Sequence, residues 1–170
     1  MLLGAGCAAV GDIPATQRSS PEMRISSPAF DEGVVIPTEY TCDGAGSVPP
    51  LRLLDVPAEA KSLALIMHDP DASSAEFVRW TAWNLPSDTA ELLGDPPASA
   101  VQGVNGAGKR GYVGPCPPSG THRYVFTLYA LDTMLSLPIT AGAKELRAAV
   151  TGHTLHTATL TGLYKRTPNP

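Results

Sequence analysis

Hydrophobic and polar positions along the chain predict mostly β structure. SLALIMHD (Ser62 to Asp69) is a compact apolar run that ends abruptly at Asp-Pro, which is typical of a buried central strand. FVRWTAWNLP (Phe77 to Pro86) is rich in β-branched and aromatic residues and ends at a proline, which predicts a second strand. RYVFTLYAL (Arg123 to Leu131) is the clearest strand because polar and apolar positions alternate along it.

The alternation through this third strand assigns its side chains to two faces. One face carries His122, Tyr124, Phe126 and Leu128, and the other carries Arg123, Val125, Thr127 and Tyr129. AGAKELRAAVTGH (Ala141 to His153) predicts a helix, since Leu146, Ala149 and Val150 share a helical face and Gly152 offers a stop. LHTATLTGLYKR, which follows, predicts a closing strand.

Composition limits the classes of protein to which the chain can belong. Of its 170 residues, 17 are Pro and 16 are Gly, which favours short strands joined by turns within one domain from about residue 23 to 168. A formal net charge of -4 argues against nucleic acid as a partner, so any anion must be held by a local site. His153 and His156 lack the spacing of a zinc motif, and the sequence predicts neither a metal nor a cofactor.

The first 22 residues predict a separate segment. MLLGAGCAAV resembles the end of a truncated bacterial lipoprotein signal in which Cys7 would be lipidated, and a polar Pro/Ser linker follows it. This interpretation places the protein in the periplasm or on a membrane through a lipid anchor. The alternative is a disordered tail on a cytoplasmic protein. No apolar run approaches the ~20 residues of a transmembrane helix.

Cys42 and Cys116 are either a disulfide pair or two buried thiols, and we expect two thiols.

Three segments carry polar groups where strands are predicted to end: HDPDAS, the pair Arg79 and Trp80, and GPCPPSGTHRY. An aspartate at the tip of a buried strand needs a partner, and His122 is the natural candidate for Asp69 or Asp71. Such a contact would orient the imidazole and leave its other nitrogen for an anion. Arg79 would add a planar fork that suits phosphate or carboxylate.

The loop before the third strand is predicted to be stiff. Pro115, Pro117 and Pro118 fix φ, while Gly114 and Gly120 permit conformations that other residues resist. A loop with little entropy left to lose favours binding.

In order and spacing, five segments resemble the phosphatidylethanolamine-binding protein family, in its bacterial and archaeal, Raf kinase inhibitor-like branch. They are SPAFDEGVVIPTEYTCDGAGSVPPL, ALIMHDPDAS, FVRWTAWNLP, GYVGPCPPSGTHRYVFTLYALD and LTGLYKR. The resemblance implies a β-sandwich, in which a large central antiparallel sheet packs on a smaller sheet, with a few short helices and a small anion pocket at one edge.

The resemblance also implies the residues of that pocket. It would include Asp69, Asp71, His122 and Tyr124, with Cys116 and Pro118 on the loop rim, Trp80 beside the mouth, and Arg123 paired with a DPD carboxylate. Two departures stand out: Arg79 replaces the usual histidine before Trp80, and Ala72-Ser73 replaces the usual Ala-Pro. His68 stands where an acid is common, and alternation leaves open whether it supplies the missing imidazole.

The leading hypothesis is a binding module for small anions or phospholipid headgroups that regulates or inhibits a partner protein and is not an enzyme. The alternative is a hydrolase or lyase that uses Cys116 or Ser119 as its nucleophile. A third possibility is an inhibitor whose partner docks on the rim beside a vestigial pocket.

Overall fold

A computed structural model describes residues 22–73 and 76–166 of the chain. In these ranges eight strands form two antiparallel sheets, and one α-helix accompanies them. The strands are β1 (Arg24–Ser26), β2 (Leu51–Leu54), β3 (Ser62–Asp69), β4 (Phe77–Pro86), β5 (Glu91–Leu92), β6 (Val101–Gln102), β7 (Thr121–Leu131) and β8 (Thr154–Lys165). The smaller sheet has the order β1-β2-β5, and the larger sheet has the order β6-β4-β3-β7-β8.

The strands predicted from residue pattern are confirmed. The bounds of β3 and β4 match the predicted runs, and β7 begins two positions earlier, at Thr121. The closing strand β8 covers the predicted segment, and β7 pairs with it along its whole length. The short strands β1, β2, β5 and β6 carry too few residues for a pattern to predict them.

The larger sheet has an apolar layer on each face. β3 runs through its centre and is buried at nearly every position, which explains why its sequence is a continuous apolar run. The first layer joins this sheet to the smaller one through residues such as Leu53, Leu65 and Phe126. The second layer joins it to the helix through residues such as Ile66 and Trp83.

The predicted helix is observed as α1 (Ala143–Val150), shorter than predicted at both ends. Leu146 and Val150 are buried against the second layer, and Ala149 packs beside them, as the spacing predicts. Gly152, just after the helix, has a φ of 81°, a left-handed conformation that suits a glycine stop.

Two predictions fall on the first residues. Cys7, as a lipidation site, and most of the separate segment 1–22 lie outside the described residues. Among the described residues, no helix has the length and apolar character needed to cross a bilayer.

Candidate functional site

Three strands of the larger sheet bring the predicted site residues to one edge. Asp69, the last residue of β3, pairs with Phe77 at the start of β4. His68 pairs with Val125 near the start of β7. Because antiparallel neighbours place the end of one strand beside the start of the next, the three polar segments of the sequence meet here.

Asp69 is the centre of the site. Its side chain is 1% exposed, and its two oxygens lie 3.1 and 3.0 Å from Nδ1 of His122. Arg79 Nη2 donates to it at 3.4 Å, and the backbone N–H of Asp71 donates at 3.0 Å. These donors offset the cost of burying a carboxylate. Of the two aspartates that the sequence offered to His122, the structure selects Asp69.

The contact with Asp69 fixes the roles of the two His122 nitrogens. An ionised carboxylate only accepts hydrogen bonds, so the proton of the neutral ring belongs on Nδ1. Nε2 then carries a lone pair, and it becomes a donor to an anion only when the ring takes up a second proton. His122 is buried on the same face as Tyr124, as the alternation in β7 predicts.

Arg79 reaches the site because of a β-bulge. Met67 pairs with Trp80 and His68 pairs with Val78, so Arg79 has no residue opposite it on β3. A bulge of this kind interrupts the alternation of faces and redirects a side chain. A period of two would have sent adjacent Arg79 and Trp80 to opposite faces, yet both contact residues of the first apolar layer.

The Arg79 side chain is held on several sides. Nη1 donates to the carbonyl oxygen of Gly114 at 3.1 Å. The guanidinium carbon lies 4.5 Å from the ring centre of Phe77 and 5.5 Å from that of Tyr124, within the range of cation–π attraction. Only 8% of the side chain is exposed, so the charge lies in an environment of low polarity beside Asp69.

Two buried polar atoms of this site have no hydrogen-bond partner among the described residues. They are Nε of Arg79 and the hydroxyl oxygen of Tyr124. Burial raises the pKa of Tyr124, and the negative charge of Asp69 raises it further, so the hydroxyl keeps its proton and can donate. These two groups form a donor set beside a single buried carboxylate, and Nε2 of His122 joins it when the ring is protonated.

The rim loop (residues 111–120) lies against the segment that contains Cys42. Cys42 and Cys116 form a disulfide with Cα atoms 5.4 Å apart, so the expectation of two thiols is wrong. The two cysteines are 74 residues apart in the chain, and the sequence could not show how close the fold brings them. A Cβ on Gly114 would lie 2.9 Å from Cα of Thr41, so this close approach requires glycine.

The rest of the rim agrees with a stiff loop. Gly120 has a φ of 70°, which favours glycine, and Pro118 is exposed at the surface. Sequence reasoning missed Tyr112, whose hydroxyl donates to the carbonyl oxygen of Tyr40 at 2.7 Å and ties the loop down. A single aromatic residue between glycines, as Tyr112 is, was the sequence signal that could have indicated an anchor for the loop.

Arg123 braces the turn from outside the site. Its Nη2 and Nε donate to the carboxylate of Asp71 at 2.8 and 3.0 Å, and its backbone N–H donates at 2.8 Å. These hydrogen bonds lower the pKa of Asp71 to about 2. Asp71 is therefore engaged at an exposed edge and supports the turn, whereas the prediction placed its carboxylate in the pocket.

One further expectation differs from the structure, and one question that the sequence left open is answered. Trp80 was expected beside the mouth, but it is fully buried in the core, where its indole N–H donates to Oε1 of Gln102 at 2.7 Å. His68 does not replace the missing imidazole, because it lies on the opposite face of β3, with Nε2 3.6 Å from Oε2 of Glu76.

The nucleophile alternative loses one of its two candidates. The sulfur of Cys116 is bonded to that of Cys42 and cannot attack a substrate in this state. Ser119 is exposed on the rim, and in the part of the chain that the structure describes it makes no hydrogen bond to His122.

The fold agrees with comparisons to known proteins. The family described as phosphatidylethanolamine-binding protein matches residues 26–165. The chain therefore belongs to this family, and the resemblance seen in its motifs is confirmed.

Relatives in archaea and bacteria support the same placement. A Methanothermobacter thermautotrophicus protein named UPF0098 protein is 48% identical over 150 residues, which are 85% of this chain and 99% of the relative. The crystal structure of a phosphatidylethanolamine-binding protein homologue from Chlamydia trachomatis is 42% identical, with a TM-score of 0.83, and covers 88% of this chain and 100% of its own. Escherichia coli YbcL, described as a member of the mammalian family, is 28% identical with a TM-score of 0.81 over 86% of this chain and 100% of its own.

Proposed function

We propose that this protein binds a small anionic group, a phosphoryl or carboxylate group, at the edge site, without chemical turnover. The observation that supports it most is the pair of buried polar atoms, Arg79 Nε and the Tyr124 hydroxyl, left unpartnered beside the Asp69 and His122 pair. Leaving a buried donor unpaired costs about 1–3 kcal/mol. An anion that accepts from both donors would remove this cost.

Each side chain would have its own part in recognition. Arg79 would supply a permanent positive charge and Nε as a donor, while Tyr124 would donate its hydroxyl. His122 would add a donor at Nε2 after taking up a proton, with Asp69 stabilising the resulting imidazolium. Anion binding at His122 is therefore accompanied by proton uptake, so affinity should rise as the solution becomes more acidic.

Two finer parts of the hypothesis belong to this proposal. A phospholipid headgroup would present its phosphoryl group to the same donors, with the rest of the headgroup outside. Occupancy would regulate a partner protein that contacts the exposed rim around Pro118. The bond at Cys116 supports binding over catalysis, since it removes a candidate nucleophile.

The test is isothermal titration calorimetry of the full chain with glycerophosphoethanolamine, whose phosphodiester keeps one charge across the pH range used. Inorganic phosphate and acetate serve as simpler anions. We expect binding by the wild type and a loss of about tenfold or more in His122→Ala, because hydrogen bonds to charged groups contribute about 1.5–3 kcal/mol.

His153→Ala is the matched control, because His153 also contacts a carboxylate, that of Asp132 at 2.9 Å, but on the exposed surface. Equal affinities for wild type and a folded His122→Ala protein would contradict the proposal. Steady product formation from a headgroup ester would instead favour the hydrolase alternative.

A further inference from the structure

The disulfide at the rim offers chemistry that anion binding does not use. Cys42 is exposed, and Cys116 is half-buried beside the site. A disulfide with one exposed end is accessible to an attacking thiolate, and access is one of the factors that set the rate of exchange.

The first half of the rim loop has several restraints besides this bond. The backbone N–H of Val113 donates to the carbonyl oxygen of Arg79 at 2.9 Å. Arg79 Nη1 donates to the carbonyl oxygen of Gly114, and the N–H of Cys42 donates to the carbonyl oxygen of Pro115 at 3.0 Å. These contacts hold the loop as far as Pro115 whether or not the disulfide is intact.

The second half of the loop has fewer restraints. Pro117 is buried, whereas residues 118–120 are exposed. The disulfide from Cys116 to Cys42 is the covalent restraint on this half. The prolines stiffen the segment internally, but they do not attach it to the sheet.

The disulfide adjoins the anion-binding groups through the loop. Gly114, two residues before Cys116, accepts a hydrogen bond from Arg79 Nη1 at 3.1 Å. A displacement of Cys116 would therefore disturb the segment that positions the Arg79 side chain.

We propose that the Cys42–Cys116 disulfide is a redox modification site for dithiol reductants, and that its reduction weakens anion binding at the edge site. This inference rests on the proposed anion-binding function and adds a means of regulating it.

The chemistry balances with the dithiol as the only co-reactant. A thiolate of the reductant attacks the exposed sulfur of Cys42, the bond to Cys116 breaks, and Cys116 leaves as a thiolate that takes up a proton. The second thiol of the reductant then attacks the mixed disulfide and releases Cys42 as a thiol. Two electrons and two protons pass to the protein, and the reductant becomes a disulfide.

We expect reduction to leave both apolar layers intact and to remove only the covalent restraint on the second half of the loop. The reduced site must then order this half again when an anion binds, and ordering lowers affinity. We expect the dissociation constant for inorganic phosphate to rise by about tenfold, an effect typical of one lost restraint.

The experiment measures phosphate binding by the full chain before and after treatment with dithiothreitol. Thiols are counted, and far-ultraviolet circular dichroism reports whether the fold is kept. We expect two new thiols, an unchanged spectrum, an affinity about tenfold weaker, and recovery after reoxidation. Cys42→Ser should bind as weakly as the reduced protein and should not respond to dithiol, whereas Cys7→Ser should behave as the wild type.

Each other outcome overturns the inference in a distinguishable way. Two new thiols with unchanged affinity would mean that the bond does not control the site. Failure of the thiols to appear would mean that the bond is not a modification site. Loss of the fold would make the disulfide a general structural crosslink, and absence of phosphate binding by the oxidised protein would remove the anion-binding function itself.

Discussion

Two clusters that each contain a carboxylate, an arginine and a histidine occupy opposite faces of the larger sheet. His68 and Asp69 are neighbours in β3, so their side chains leave the strand in opposite directions. Asp69 meets Arg79 and His122 at the edge site. We call these three residues the buried cluster.

On the other face, His68 meets Glu76, which in turn pairs with Arg147, and we call these three residues the exposed cluster. Arg147 donates to Glu76 with both terminal nitrogens, one of them at 3.0 Å, so the pair is bidentate. Its two side chains are 37% and 36% exposed, and the cluster borders an open cleft beside the start of α1.

A carboxylate and an arginine therefore form a half-exposed ion pair on one face and a buried charged pair on the other. Water screens the exposed pair and can solvate either partner alone. Water does not reach the charges of the buried cluster in this way, so each charged side chain there is stabilised by the others. The two clusters should respond very differently to equivalent substitutions.

The largest contrast is expected in stability. Asp69→Ala leaves the charge of Arg79 buried without its carboxylate, which should lower the free energy of unfolding by about 3–5 kcal/mol. Glu76→Ala should lower the free energy of unfolding by less than about 1 kcal/mol, because water can solvate the Arg147 side chain that is left behind. Urea unfolding followed by tryptophan fluorescence measures both values, and similar losses would show that burial does not separate the clusters.

The second largest contrast is expected in anion affinity, between substitutions of Arg79 and of Arg147. Arg79→Met keeps an apolar side chain but removes the charge and the unpartnered Nε, so phosphate affinity should fall by about 10- to 150-fold. Arg147→Met should leave affinity within about twofold, because Arg147 lies on the opposite face. Calorimetry on the folded variants measures both affinities. Equal losses of phosphate affinity would point to the overall charge of the protein as the cause.

The contrast between the clusters also shows how far sequence reasoning could reach. Alternation in β7 placed His122 and Tyr124 on one face, and the apolar run of β3 placed Asp69 at its tip, because both signals are local. The bulge at Arg79 was not predictable, since two residues on one strand opposite one on the next is a property of pairing. A period of two therefore fails at the residue that distinguishes this site.

The disulfide and the position of Trp80 were hidden for a related reason. Whether Cys42 and Cys116 pair depends on how the rim loop crosses the segment after Tyr40, and chain spacing does not determine that crossing. Trp80 belongs to the core because it pairs with Met67 in regular register and faces the first apolar layer, where Tyr112 packs against it edge to face. In both cases a contact distant in sequence decided the outcome.

The smallest expected effect concerns the exposed cluster and pH. Desolvation lowers the pKa of His68 below its ordinary value of 6.5, although the charge of Glu76 acts in the opposite direction. Between the lowered pKa and 6.5 the unfolded chain binds more protons than the folded one, so stability rises with pH there. The contribution of His68 is therefore complete above 6.5 and is lost as the pH falls below it.

His68→Gln removes this titration, so its free energy of unfolding should decline less than that of the wild type as the solution is acidified from pH 6.5. His156→Gln is the matched control, since His156 is exposed on β8. Urea unfolding at several pH values gives the difference between wild type and variant, in which the contributions of all unchanged residues cancel. If this difference in the free energy of unfolding stays constant with pH, the His68 side chain is effectively solvated. The two clusters would then differ more in burial than the structure indicates.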